Sequence, residues 1–125
     1  VGTVTISIMD KFHRHIRRKS RELAMAIHEE LDMTTPIDTE HAVSNWIFSL
    51  KPRTDVVGSR AQVDYDAGHR SLGVVQGWDP FKGELYLINN VPYIGILNSD
   101  STPSMQAPPE FVEDAIEVAK ARTRY

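Results

Sequence analysis

The stretch GELYLINNVPYIGILNSDSTPSMQAPP, Gly83 to Pro109, decides how this chain folds. Glu84 to Ile88 and Tyr93 to Leu97 are short apolar runs rich in β-formers, and they flank Asn89-Asn90-Val91-Pro92. Asparagine tolerates positive φ, and Pro92 forces Val91 into an extended conformation. The two runs are therefore predicted to close an antiparallel hairpin, 84–97. Asn98 to Ala107 is a loop of Ser, Thr, Asp and Pro. Pro108 and Pro109 then open a helix over Glu110 to Arg122, because proline suits the first helical turn, where its missing N–H has no partner. Glu110, Glu113 and Asp114 sit at the positive end of that helix, and Lys120, Arg122 and Arg124 at its negative end. Phe111, Ala115, Val118 and Ala119 give it one apolar face. Nothing in the stretch is catalytic in kind; it is a hairpin and a loop suited to lying against another molecule.

Upstream, Ile8, Phe12 and Ile16 step by four, and Leu23, Ile27 and Leu31 step by four again. This is a helical pattern over about residues 8–33, and Pro36 cannot continue it. Such a helix is about 38 Å long, longer than one small domain needs for its own core. Part of it is expected to project or to pack on a neighbour. Between the two apolar stripes, Arg17 to Ser20 is polar all round. After a loop at Thr34 to Thr39, residues Ala42 to Lys51 alternate as a strand, with Trp46, Phe48 and Leu50 on the heavier face. Gln62 to Trp78 reads as a helix interrupted by Gly68, Gly73 and Gly77, each costing about 1 kcal/mol inside one. Asp79-Pro80-Phe81-Lys82-Gly83 is a turn in which Pro presets φ, Asp caps and Gly closes. The predicted fold is α+β: a small antiparallel sheet packed with a long N-terminal and a C-terminal helix. Its 125 residues are predicted to form a single domain.

With 14 basic and 17 acidic residues and a net charge of −3, the chain lacks the overall charge of a general nucleic-acid binder. It has no cysteine, which removes disulfide and thiolate chemistry. No apolar run approaches the ~18 residues of a membrane span. His13 and His15, two residues apart, point to different faces of the helix and cannot share a metal. Asp64 and Asp66 flank Tyr65, and Asp66 with His69 is an acid–His pair of general-base type, set against a plain helix start with Asp66 as N-cap. Ser71 lacks the glycine elbow a nucleophile needs, and the glycines match no phosphate-loop spacing. No enzymatic activity, metal or cofactor is expected. Arg14, Arg17, Arg18, Lys19 and Arg21 form a basic cluster with two readings, phosphate contact or a helix face that is solvated or meets a neighbouring subunit. Trp46 and Phe48 are expected in the core.

Three segments in order carry a resemblance. They are Thr35-Pro36-Ile37-Asp38-Thr39 followed by Ser44-Asn45-Trp46, then Asn89-Asn90-Val91-Pro92-Tyr93, then Gln106-Ala107-Pro108 before Phe111-Val112. With them the chain resembles the neck or tail-completion proteins of tailed bacteriophages, the HK97 gp10-like family, over about Leu31 to Ala119. It departs from the family pattern at Glu40 and His41, at Asn98 and Asp100, and in a loop one residue longer before Gln106. The resemblance implies a non-enzymatic virion protein, made in the host cytoplasm and built into the neck or tail. It implies a homo-oligomeric ring of six or twelve copies joining a portal-side connector to the tail around the DNA channel, with non-specific DNA contact there. Asn89, Asn90, Pro92, Tyr93, Asn98, Asp100, Met105, Gln106 and Pro108 would then meet other subunits or adjacent rings. Arg14, Arg17, Arg18, Lys19 and Arg21 would face a subunit or the DNA. The alternative is a small nucleic-acid-binding regulatory protein using the basic helix Arg14–Arg21.

Overall fold

A computed structural model describes residues 2–5, 7–35, 45–52, 67–89 and 110–124. It contains α1 (Ile8–Thr34), β1 (Ile47–Ser49), α2 (Ala67–Arg70), α3 (Gly73–Gly77), β2 (Tyr86–Ile88) and α4 (Phe111–Thr123). The chain is a small α+β fold.

Helix α1 has 27 residues and starts where Ser7 caps it, the Ser7 hydroxyl accepting from the Asp10 N–H at 3.2 Å. At its other end the Thr34 hydroxyl donates to the Glu30 carbonyl and the Thr35 hydroxyl to the Leu31 carbonyl, at 2.8 and 2.6 Å. Those bonds supply partners to carbonyls that a helix end leaves orphaned. The predicted end near residue 33 is therefore placed by two threonines directly ahead of Pro36.

Burial along α1 is uneven. From Ile8 to His15 every side chain but His13 is exposed, and the buried positions are Ala24, Ala26, His28, Glu30 and Leu31. The C-terminal half thus carries the core. Leu31, Trp46, Phe111 and Ala115 form one cluster, with Ile27, Leu87 and Val112 against it. Ala24, Phe48 and Val75 form another, flanked by Met25, Leu72, Val74, Leu85 and Leu87. Leu87 touches both and links them. Trp46 and Phe48 are core residues, as their strand pattern suggests.

Helix α4 runs back along α1: Phe111 and Ala115 cluster with Leu31, and the Thr123 carbonyl accepts from Lys19 at 3.0 Å. Its buried face is Phe111, Ala115 and Ala119, spaced by four. Val118, assigned to that face by periodicity, is half exposed instead, because three small or flat contacts already fill the narrow seam with α1. The two buried alanines let the helices lie close. Ala119→Leu is accordingly expected to cost about 1–3 kcal/mol by overpacking, while Val118→Leu leaves the melting temperature nearly unchanged. Equal melting of the two variants would contradict this packing.

Among the described residues the sheet has two short strands. Of the predicted strand Ala42 to Lys51, residues 42–44 lie outside the described residues; over the rest β1 spans three residues, Asn45 lies in a tight turn and Leu50 is exposed. β1 pairs antiparallel with β2 in the register Ile47↔Ile88, Phe48↔Leu87 and Ser49↔Tyr86. The hairpin's second run, Tyr93 to Leu97, lies outside the described residues, so the described partner of β2 is β1. On its far side β1 is met by a side chain: the Phe48 N–H donates to Ser71 Oγ at 2.9 Å, and that hydroxyl donates to the Gly68 carbonyl at 2.8 Å. Ser71 satisfies an edge N–H that would otherwise need a strand. The predicted 62–78 helix is, over its described part, two short helices broken at Ser71–Leu72, where Ser71 turns to make those bonds. The 79–83 turn forms as expected, with the Lys82 N–H on the Asp79 carbonyl at 2.9 Å and the Phe81 N–H on Asp79 Oδ1 at 3.0 Å.

Candidate functional site

The basic cluster of α1 does not stand alone in solvent. Arg14, Arg17, Arg18, Lys19 and Arg21 line an open groove of about 880 Å³, and Arg122 and Arg124 enter it from the end of α4. Glu22 and Glu29 are its carboxylates, and Met25 and Ala26 its apolar floor. Arg122 and Arg124 were legible in the sequence only as cations at a helix C-terminus. Their meeting with residues about a hundred positions earlier is a product of the antiparallel α1–α4 packing.

The cations divide by what holds them. The Arg17 guanidinium grips Asp79 with two bonds, Nε to Oδ1 at 3.1 Å and Nη2 to Oδ2 at 3.3 Å, and lies over the Phe81 ring at 5.1 Å. The His13 ring sits 4.4 Å from the same Phe81. The 79–83 turn is thereby latched to α1. Arg17 holds the Asp79 carboxyl below its usual pKa, helped by the Phe81 N–H; this contribution to stability is present above the ordinary carboxylate range and is lost as pH falls through the lowered value. Arg122 bridges Glu29 at 2.6 Å and Glu30 at 2.8 Å, tying α4 to α1. These two arginines are neutralised.

Lys19 and Arg21 are half-buried and held differently. Lys19 donates to the Thr123 carbonyl at 3.0 Å, with Glu22 3.3 Å away. Arg21 puts both Nε and Nη2 on the Trp78 carbonyl, at 3.1 and 2.7 Å. A carbonyl fixes a guanidinium in place without cancelling its charge. The polar gap in the apolar stripe is therefore not a wholly solvated face; Arg17, Lys19 and Arg21 carry the contacts that seat the 78–83 segment and the end of α4. Arg18 remains two-thirds exposed, with Nη2 3.2 Å from His15 Nδ1 and Nε 3.9 Å from Glu22. Arg14 and Arg124 are exposed, and no carboxylate among the described residues pairs with either.

Arg124 has a further peculiarity. It caps α4 with φ 56 and ψ 38, its N–H bonded to the Ala121 and Lys120 carbonyls. That left-handed position is the one glycine ordinarily takes, and a side chain there costs about 1 kcal/mol. The chain keeps an arginine at a glycine position, and that arginine lines the groove.

A second feature lies at the start of α1. Val4, Ile8, Met9 and Phe12 are 86%, 73%, 59% and 54% exposed. Ile8 and Phe12 are one turn apart on one face, with Met9 beside them.

Other candidate residues are placed as follows. Asn89 is half-buried just after β2 and has a partner. Asn90, Pro92, Tyr93, Asn98, Asp100, Met105, Gln106 and Pro108 lie outside the described residues, as do Asp64 and Asp66. His69 is exposed, its ring edge-on to that of His28 at 6.4 Å. Ser71 is occupied structurally by Phe48 and Gly68. Among the described residues no group of three or more His, Cys, Asp or Glu could hold a metal ion, and no helix is long and apolar enough to cross a membrane. Comparison with protein families, with characterised proteins and with solved structures finds no match to this chain.

Proposed function

We propose that this chain is a structural assembly subunit that packs against copies of itself, and that it serves as a neck or tail-completion protein of a tailed bacteriophage. The observation that carries the assembly reading is the apolar start of α1, where Ile8, Met9 and Phe12 face water ahead of the half that enters the core. Burying a side chain of this size is worth about 1.5–3 kcal/mol, so the stripe is a stored interface. A helix end reaching onto the next copy makes a heterologous contact, the kind that closes into rings. The order and spacing of the Thr35–Thr39, Ser44–Trp46, Asn89–Tyr93 and Gln106–Pro108 segments support the phage class, with the portal-side connector and tail proteins as partners. A regulator that reads sequence is less well supported: it needs side chains aimed at base edges, whereas the groove offers a bank of cations.

Light scattering coupled to size exclusion tests the assembly reading. The wild-type chain is expected as a closed oligomer, six- or twelvefold, and Phe12→Glu with Ile8→Glu as a folded monomer. A wild-type monomer at about 100 µM would sink it. Portal, connector and tail-tube genes flanking its own are the expected sign of the phage class.

A further inference from the structure

We infer that the groove between α1 and the C-terminal end of α4 binds the phosphate backbone of a double-helical nucleic acid, blind to sequence, through Arg14, Arg18 and Arg124. The division of the cations selects these three. Arg17 and Arg122 are spent on Asp79 and on Glu29 and Glu30. Arg21 is anchored on the Trp78 carbonyl and adds positive field from a fixed position, while Lys19 bonds the Thr123 carbonyl and pairs with Glu22. Arg14 and Arg124 are exposed at the groove with no carboxylate partner among the described residues, and Arg18, two-thirds exposed, has only a long, solvated carboxylate pair, with Glu22 at 3.9 Å. Arg14 and Arg18 stand one turn apart on α1, about 6 Å along its axis, and Arg124 approaches from the other helix. A chain of net charge −3 thus concentrates positive charge on one face.

The chemistry of the lining chooses the ligand. Guanidinium groups present flat donor forks suited to phosphate oxygens. A protein partner would want an apolar or aromatic anchor at the centre of the contact, and among the described lining residues only Met25 and Ala26 are apolar. Interfaces with nucleic acid are more polar and more positive. Among the described residues no aromatic side chain lines the groove; the described lining thus offers cations and no platform for unstacked bases, which favours a duplex over a single strand. Arg124 at a position glycine ordinarily takes places one more cation at the groove. The inference concerns the single chain and does not rest on the assembly reading.

Fluorescence anisotropy with a labelled 20-base-pair DNA duplex of mixed sequence provides the test. Three phosphate contacts predict a log–log salt slope of about −2.7, so affinity falls about 40-fold between 50 and 200 mM salt. The variant Arg14→Gln/Arg18→Gln/Arg124→Gly is expected to lose nearly all of this binding and its salt slope. Arg124→Gly alone should melt higher than wild type yet bind more weakly, an outcome a purely structural role for Arg124 does not give. Arg17→Gln should lower the melting temperature and leave the slope unchanged. The inference is overturned if wild type shows no binding at 50 mM salt, if the triple variant binds as wild type, or if a dT20 strand binds more tightly than the duplex. It is overturned equally if the triple variant changes only the oligomeric state of the protein alone, since the groove is then a subunit interface. The apolar start of α1, tested separately at high salt, decides the assembly reading whatever the duplex does.

Discussion

Phe111→Ala is expected to cost about 3–5 kcal/mol. Phe111 is 1% exposed and opens α4 against Leu31, Trp46 and Ala115. It is the one large side chain on the buried face of α4, whose other buried positions are alanines. Removing it leaves a cavity that alanines cannot fill, and the lost contacts are those that pin the start of the helix. The residue before it, Glu110, is itself in the left-handed region at φ 61 with no side-chain capping bond. A domain of this size has only about 5–15 kcal/mol in total. Urea denaturation measures the loss, with Val118→Ala, on the half-exposed side of the same helix, as the control expected below about 1 kcal/mol. A Phe111→Ala loss no larger than that of the control would refute the packing of α4. The groove should weaken with it, because Arg122 and Arg124 reach α1 only while α4 is docked.

How much of this could be read from the residues follows from the range of the interactions. α1 was legible because its signals are local: the i, i+4 apolar steps, Pro36 past its end, and the polar gap at Arg17–Ser20, whereas the hydroxyl bonds of Thr34 and Thr35 were not legible there. The face of α4 was nearly legible, and Val118 misled because an apolar residue on the flank of a narrow stripe looks the same in sequence as one at its centre. β1 was overcounted for a related reason. Alternation over Ala42 to Lys51 signals extended chain, but pairing needs a partner, and the register with β2 accommodates only Ile47 to Ser49. Ser71 was weighed as a nucleophile and rejected for want of a glycine elbow; its actual task, bonding Phe48 across 23 positions, has no local signature. The basic cluster was visible as composition, but its division into neutralised, anchored and available cations depends on Asp79, Trp78 and Thr123, all at least 57 residues away in sequence.

The last expectation concerns pH. His28 is 2% exposed, stacked on Phe48 at 5.3 Å between ring centroids. Nε2 lies 2.9 Å from the Trp46 carbonyl and Nδ1 3.4 Å from Asp32 Oδ2. Both neighbours are acceptors, so only the doubly protonated ring donates to each; a neutral ring must leave one nitrogen facing a lone pair. Burial by itself pushes the pKa down, but the Asp32 hydrogen bond and charge, the Trp46 carbonyl and the Glu29 charge outweigh it, and the net direction is upward. His69, edge-on at 6.4 Å, is the other titratable group at the ring. With the folded value above the unfolded one, the stabilisation is fully present below the ordinary imidazole pKa of about 6.5. It is lost as pH rises through the raised value. His28→Leu keeps the volume apolar but strands the Trp46 carbonyl, at a cost of about 2–3 kcal/mol near pH 6. The gap in stability between wild type and His28→Leu should therefore narrow as pH rises from 6 to 9. Denaturation curves at those pH values settle the sign: a gap that stays constant or widens means that the ring is buried neutral, and the bridge from α1 to the Trp46 backbone is then an ordinary uncharged hydrogen bond.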